Sequence, residues 1–239
     1  MPSPDKQPPT PDRPEIEMFT IDGAEIEVPV AALVPRLRGR LRDGGYEGHE
    51  RALLRDHLRP GDRVLDLGAG AGLVSITAAR IVGAANVTSV EANPAMLRHL
   101  RRNLRRNVGA EGSVLHMAAV GDDDPPGTIE LHVHPGFWSA SILPGRAKNA
   151  QSCSVRAKPL SRLIRRAQAT VIAMDVEGAE QRLLATPLPP QIRLLVIELH
   201  PGLYGESTRD GILRDLAAQG FADVGAKRTE EVFALRRGD

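Results

Sequence analysis

The chain has 239 residues, 41% apolar and 26% charged, a normal balance for a soluble globular protein with one large domain and a core of its own. Basic and acidic residues nearly cancel, 31 against 30, so the overall charge points to neither a nucleic-acid coat nor a membrane-surface binder. A single cysteine, Cys153, excludes an internal disulfide, and neither a signal-peptide pattern nor a membrane-length apolar window is visible; the expectation is a cytoplasmic protein.

Residues 1–14 hold six prolines among polar residues and read as a disordered tail. Residues 15–59 form an N-terminal extension. Met18 to Val28 alternates apolar and polar residues around Asp22-Gly23, which predicts a β-hairpin, because such a turn needs positive φ. A helix is expected over Ala31–Leu41, broken by Gly44-Gly45, and another over Gly48–Leu58, stopped by Pro60-Gly61.

The main domain, 60–239, alternates strand and helix. Strands are expected at Val64–Leu67, Val87–Glu91 and Val114–Met117, with helices at Leu73–Val82 and Pro94–Asn107 between them. An irregular insert, about 121–159, breaks the rhythm with only short strand candidates, Thr128–Val133 and Ser154–Ala157. Alternation then resumes with strand Val171–Met174, helix Ala179–Ala185, strand Arg193–Leu199 and helix Thr208–Gln219. Two strands, Phe221–Gly225 and Val232–Leu235, close the chain as an antiparallel pair. The fold class is α/β: a doubly wound, mostly parallel sheet with helices on both faces.

In such sheets ligands bind at the carboxyl ends of the strands, where Asp66-Leu-Gly68-Ala69-Gly70-Ala-Gly72 makes a glycine turn after the first core strand. A dinucleotide fingerprint wants its third glycine five positions after its first; here the spacing is two and two. Asp66 would repel a pyrophosphate but attract an ammonium, so the turn favours S-adenosylmethionine over NAD. Glu91 ends the second core strand, 23 residues after Gly68, and its two oxygens suit the vicinal hydroxyls of a ribose. Adenine contacts are expected from Ala92, Asn93 and the stretch Met117–Ala119, with Ala118 at its centre.

Asp175 follows the apolar strand Val171–Met174 and emerges at its carboxyl end, facing the crevice. Glu177 follows, and Glu180 complements the dipole of the next helix. Glu198 and His200 end another apolar strand in the same way.

These pieces together resemble the FkbM family of methyltransferases. The likeness is carried by Tyr46-Glu47, Pro60-Gly61-Asp62, Val64-Leu-Asp-Leu-Gly-Ala-Gly70, Val90-Glu-Ala-Asn-Pro94, Met174-Asp-Val-Glu-Gly-Ala-Glu180 and Ile197-Glu-Leu-His-Pro201, in order across about 18–235. The family often has Asn where Gly70 stands. The resemblance implies a seven-stranded class I methyltransferase sheet and methyl transfer, most often to a hydroxyl of a sugar, polyketide or similar small molecule. It also implies that Gly68, Gly70, Glu91 and Asp175 are cofactor-pocket or catalytic positions, and that Tyr46 and Glu47 close over the methionine end.

A hydroxyl acceptor must lose a proton, and Asp175 and His200 are the candidate bases, with Glu198 beside them. An alternative has Asp175, Glu177 and Glu198 hold Mg²⁺; no ligand spacing forces a metal, and the metal-free reading is preferred. His132 and His134 alternate on a strand but make a poor metal site without further ligands. Acceptor recognition is assigned to the insert, where Trp138 either stacks on a ring or packs in the core. The Arg-rich helix 98–106 has its apolar residues on one face, leaving the arginines to solvent; the alternative is an RNA or protein methyltransferase that docks through them. The expected partner is a small-molecule acceptor such as a glycoside, in preference to nucleic acid, and not a membrane.

Overall fold

A computed structural model describes residues 15–109, 112–125, 127–133, 151–225, 229 and 231–238. Strands β1 (Ile16–Ile21) and β2 (Ala24–Pro29) form the expected hairpin, and Asp22 and Gly23 both take positive φ, 49° and 68°. The single helix expected over 31–41 is instead a 3₁₀ turn, Val30–Ala32, followed by α1 (Pro35–Arg42). Pro35 cannot continue a preceding helix but suits the first turn of a new one. Helix α2 (Gly48–His57) follows.

Next come β3 (Val64–Leu67), α3 (Leu73–Val82), β4 (Val87–Glu91), α4 (Pro94–Val108), β5 (Ser113–His116) and β6 (Ala118–Val120). The insert is less irregular than its sequence suggests. Its strands β7 (Gly127–Val133) and β8 (Gln151–Pro159) pair antiparallel, and β6 joins β8 in parallel, making a separate three-stranded sheet. His132 sits there with Ser152 hydroxyl 3.1 Å from its Nδ1. Trp138 and His134 lie outside the described residues.

Helix α5 (Leu160–Ala167) has no counterpart in the expected elements, yet its buried Leu160, Leu163, Ile164 and Ala167 recur at helical spacing. The chain closes with β9 (Val171–Met174), α6 (Glu180–Leu183), β10 (Leu194–Glu198), α7 (Pro201–Tyr204), α8 (Glu206–Ala218), β11 (Phe221–Asp223) and β12 (Val232–Arg237).

The main sheet has seven strands in the order β11-β12-β10-β9-β3-β4-β5. Only β12 runs against its neighbours. This is the Rossmann-like class I methyltransferase sheet. Successive residues of the central strands serve opposite faces: Leu65 and Leu67 pack with α5 and α8, Val64 with α2 and α3. Burial on both faces explains why these strands are continuous apolar runs.

The hairpin is tied to α4 through Glu27, which is 1% exposed. Its carboxylate meets His99 at 2.8 Å, Arg106 at 2.9 Å and Arg102 at 3.3 Å, while Asn103 bonds both its backbone N–H and carbonyl. The expectation that the helix arginines all face solvent is therefore corrected. A buried carboxylate needs cationic partners, and Arg102 and Arg106 supply them.

Candidate active site

The carboxyl ends of β3, β4 and β9 meet at one open cleft. Gly68 and Gly70 line it from the first turn, Glu91 and Ala92 from β4, and Met117, Ala118 and Ala119 from the segment after β5. Asp175, Val176 and Glu177 line it from the segment after β9. Gly68 has a second reason to be glycine: at φ +87°, a Cβ there would lie 1.8 Å from the Asp175 carbonyl oxygen. Of the residues expected at the cofactor, Ala69, Gly72 and Asn93 do not line this cleft, and neither do Tyr46, Glu47 and Asp66. Ala69 is buried in the core beneath the hairpin. Gly72 packs on α4, where a Cβ would come within 2.7 Å of Leu100. Asn93 is buried and caps α4, its Oδ1 accepting from Ala95 N–H at 3.1 Å.

Glu91, 6% exposed, ties the turn to β4. Its Oε2 accepts from Gly70 N–H at 2.7 Å and its Oε1 from Asn93 N–H at 2.6 Å. Burial raises its pKa, while those backbone donors pull it back down. Each oxygen keeps a further lone pair, so the carboxylate still fits a vicinal diol.

Asp66 lies not in this cleft but against a smaller cavity, about 280 Å³, shared with Glu47, Glu50 and Asp175. Burial pushes its pKa up to about 7, against the Ser75 hydroxyl that donates to it at 2.5 Å. Tyr46 and Glu47 precede α2. Arg51, itself buried, holds the loop by donating to the carbonyls of Gly44 and Tyr46 at 2.7 and 2.9 Å. Tyr46 hydroxyl donates to Glu47 Oε1 at 2.5 Å, leaving Glu47 Oε2 buried without a hydrogen bond. Burial raises the pKa of both groups well above their ordinary values. Glu50 Oε2 is likewise buried and unpartnered. The free Glu47 oxygen fits the ammonium of an amino-acid ligand, which carries three donors.

At the other side of Asp175 lies an acidic centre around His200. The ring's Nδ1 is 3.0 Å from Glu180 Oε1, and its Nε2 is 3.5 Å from Asp175 Oδ1 and 3.7 Å from Glu177 Oε2. Glu180 is fully buried, and its Oε1 also accepts from Gly178 N–H at 3.1 Å. His200 N–H donates to Tyr204 hydroxyl at 2.7 Å. Burial alone would lower the His200 pKa, but the hydrogen bond and charge of Glu180, with Asp175 and Glu177, raise it to about 10. Glu198 is pushed up to about 7 by burial and by Glu50. Asp175 rises well above its ordinary value through burial and the charges of Glu198 and Glu177.

The structure thus brings Asp175, Glu177, Glu198 and His200 together, as their strand-end positions suggest. It corrects two readings. Glu180 is more than a helix-start charge, because α6 is a four-residue turn and the carboxylate bonds His200. His200 is less suited to a base than its strand-end position suggests, because Glu180, Asp175 and Glu177 favour its protonated ring. Glu50 is absent from the sequence-derived set. The signal was present: Glu50, Leu53 and Leu54 share one face of α2, and all three are buried.

Residues 45–122 match the family model described as the TRM5/TYW2 methyltransferase domain, less than half of the chain. The ribosomal protein L11 methyltransferase of Ralstonia pickettii (strain 12J) is 35% identical over 113 residues, which are 46% of this chain and 34% of that protein. The corresponding enzyme of Thermus thermophilus is 46% identical over 51 residues, 21% of this chain and 19% of that protein. The chain therefore spans no more than about a third of the curated relatives it matches. Magnesium protoporphyrin IX methyltransferase from Synechocystis PCC 6803, solved with bound SAM, shares 15% identity at a TM-score of 0.48, covering 86% of each chain.

The class that the fold, the glycine turn and the matched segment define is the S-adenosylmethionine-dependent methyltransferase domain. S-adenosylmethionine is its cofactor.

Proposed function

We propose that this protein is an FkbM-like methyltransferase that transfers the methyl group of S-adenosylmethionine to a hydroxyl of a small molecule such as a sugar or polyketide. The observation that carries this reading is the acidic centre of Asp175, Glu177, Glu198 and His200 beside the cofactor cleft.

The sulfonium cofactor supplies an activated methyl group when bound. Glu91 would hold its ribose, Met117–Ala119 its adenine, and Glu47 with Asp66 its ammonium. The chain's remaining task is to orient an acceptor and take its proton; orientation alone is worth about 7–11 kcal/mol. Glu180, Asp175 and Glu177 favour the protonated His200 ring, whose charge would hold Asp175 and Glu177 while no cation is bound. Glu198, raised to about 7, is the group best suited to accept a hydroxyl proton, with Asp175, raised by burial and by its acidic neighbours, beside it.

A second reading is methylation of RNA or a ribosomal protein, favoured by the family model and by the names of the curated relatives. Clustered carboxylates beside the cleft repel a phosphate backbone, which weighs against RNA. Incubation with labelled S-adenosylmethionine and parallel panels of glycosides and polyketide alcohols, RNA, and ribosomal protein L11 tests the choice. Label on a hydroxyl compound is the expected result; label only on RNA or L11 would overturn it.

A further inference from the structure

His200 is held in the manner of a metal ligand. Its Nδ1 is pinned at 3.0 Å by Glu180, a carboxylate with no exposure, and this fixes the ring so that Nε2 points at Asp175 and Glu177. The distances there, 3.5 and 3.7 Å, are too long for good hydrogen bonds. They are a few tenths of an ångström beyond the separation of neighbouring ligand atoms around one cation, about 2.8–3.4 Å for metal bonds of about 2.0–2.1 Å. One ligand atom each from Asp175, Glu198 and His200 already lies within 4.8 Å of the others. A carboxylate behind a histidine whose other nitrogen faces more carboxylates is the usual outer support of a metal-bound imidazole.

A second observation points the same way. Asp175 Oδ1 is enclosed and makes no hydrogen bond, although the side chain as a whole reaches the cleft. Glu50 is more than nine-tenths buried beside Glu198, and its Oε2 accepts from no N–H or hydroxyl donor. Buried acceptors are seldom left unsatisfied, and those that are often mark an ion that belongs there. An unpaired buried acid is costly; a divalent ion offsets several at once.

We propose that Asp175, Glu198 and His200 form a divalent-cation site, with Glu180 as the support of His200 and Glu50 and Glu177 at its edge. One imidazole among carboxylates suits a borderline-hard ion, for which Mn²⁺ is the probe. On binding, His200 releases its Nε2 proton to solvent and that nitrogen becomes a ligand. Positions left open on the ion would take the acceptor's oxygens. That role rests on the methyl-transfer reading, while the site itself does not.

The test is titration of Mn²⁺ into the full chain, followed by the paramagnetic resonance of free Mn²⁺ and by calorimetry, with S-adenosylhomocysteine binding measured separately in EDTA. One equivalent should bind to the wild type. Glu198→Gln, which alters no residue lining the cofactor cleft, should lose that binding, and Glu180→Gln should weaken it about 10–100-fold. Retained S-adenosylhomocysteine binding shows that each variant is folded. No binding to wild type at about 10 mM, beyond the weakest built divalent sites at about 10⁻³ M, would overturn the proposal. So would equal binding in Glu198→Gln. Cofactor binding without Mn²⁺ binding would sink this site and leave the functional reading intact; Mn²⁺ binding without cofactor binding would do the reverse.

Discussion

Glu180 and His200 stand twenty positions apart and meet at 3.0 Å, Oε1 to Nδ1, across the carboxyl ends of two neighbouring strands. That contact makes one unit of two motifs, the acidic turn after β9 and the His-Pro turn after β10. It also decides the protonation of the histidine.

Removing the ring should therefore be costly. His200→Ala leaves the buried Glu180 carboxylate without its cation, a change worth about 3–5 kcal/mol, or about 2–4 °C of Tm for each kcal/mol. The His200 pKa rises from 6.5 to about 10 on folding, so its contribution is fully present below pH 6.5 and is lost as pH climbs through about 10. Melts of wild type and variant should converge at the alkaline end.

Glu198 has the same direction of pH dependence, but its charged form strains the folded state. Its pKa rises from 4.5 to about 7, so between those values the folded protein holds more protons and stability falls as pH rises. Glu198→Gln should melt higher than wild type above pH 7 and lose that advantage below pH 4.5. Melting curves at the two ends of this window measure it, and a variant less stable above pH 7 would contradict the assigned strain.

Glu27 anchors the N-terminal hairpin. Glu27→Ala would leave His99, Arg102 and Arg106 without their shared acid and should cost about 3–5 kcal/mol. Denaturant melts give the value directly; a loss under about 1 kcal/mol would mean the cluster behaves as a surface ion pair.

The parallel core was legible because its strands are apolar on both faces and its turns carry Pro or Gly. The contacts of Glu27 were not, since an acid on the alternating strand β2 reads as solvated until α4 is laid over it. In the site, Asp175, Glu91 and Glu198 announced themselves as acids ending apolar strands. Their roles needed three dimensions: Glu180 became a histidine partner only when β9 and β10 paired, and Glu50 entered only when α2 packed beside β10. Gly72 and Asn93 read as ligand contacts by sequence proximity, yet a Leu100 contact and a helix cap account for them.

Gly72→Ala should lower stability without touching the cofactor's own contacts, because its Cβ would press on Leu100 in a positive-φ position. Paired stability and S-adenosylmethionine-binding measurements should separate the two effects, with Tm falling and affinity per folded molecule holding. A loss of affinity at unchanged Tm would return Gly72 to the binding site.

The central claim is that the cleft between the glycine turn and Glu91 takes S-adenosylmethionine. Calorimetric titration of the cofactor into wild type and Glu91→Ala tests it most directly. The account predicts one binding event in the wild type and none detectable in Glu91→Ala, with both proteins folded. Equal binding in the two, or none in the wild type, would contradict it.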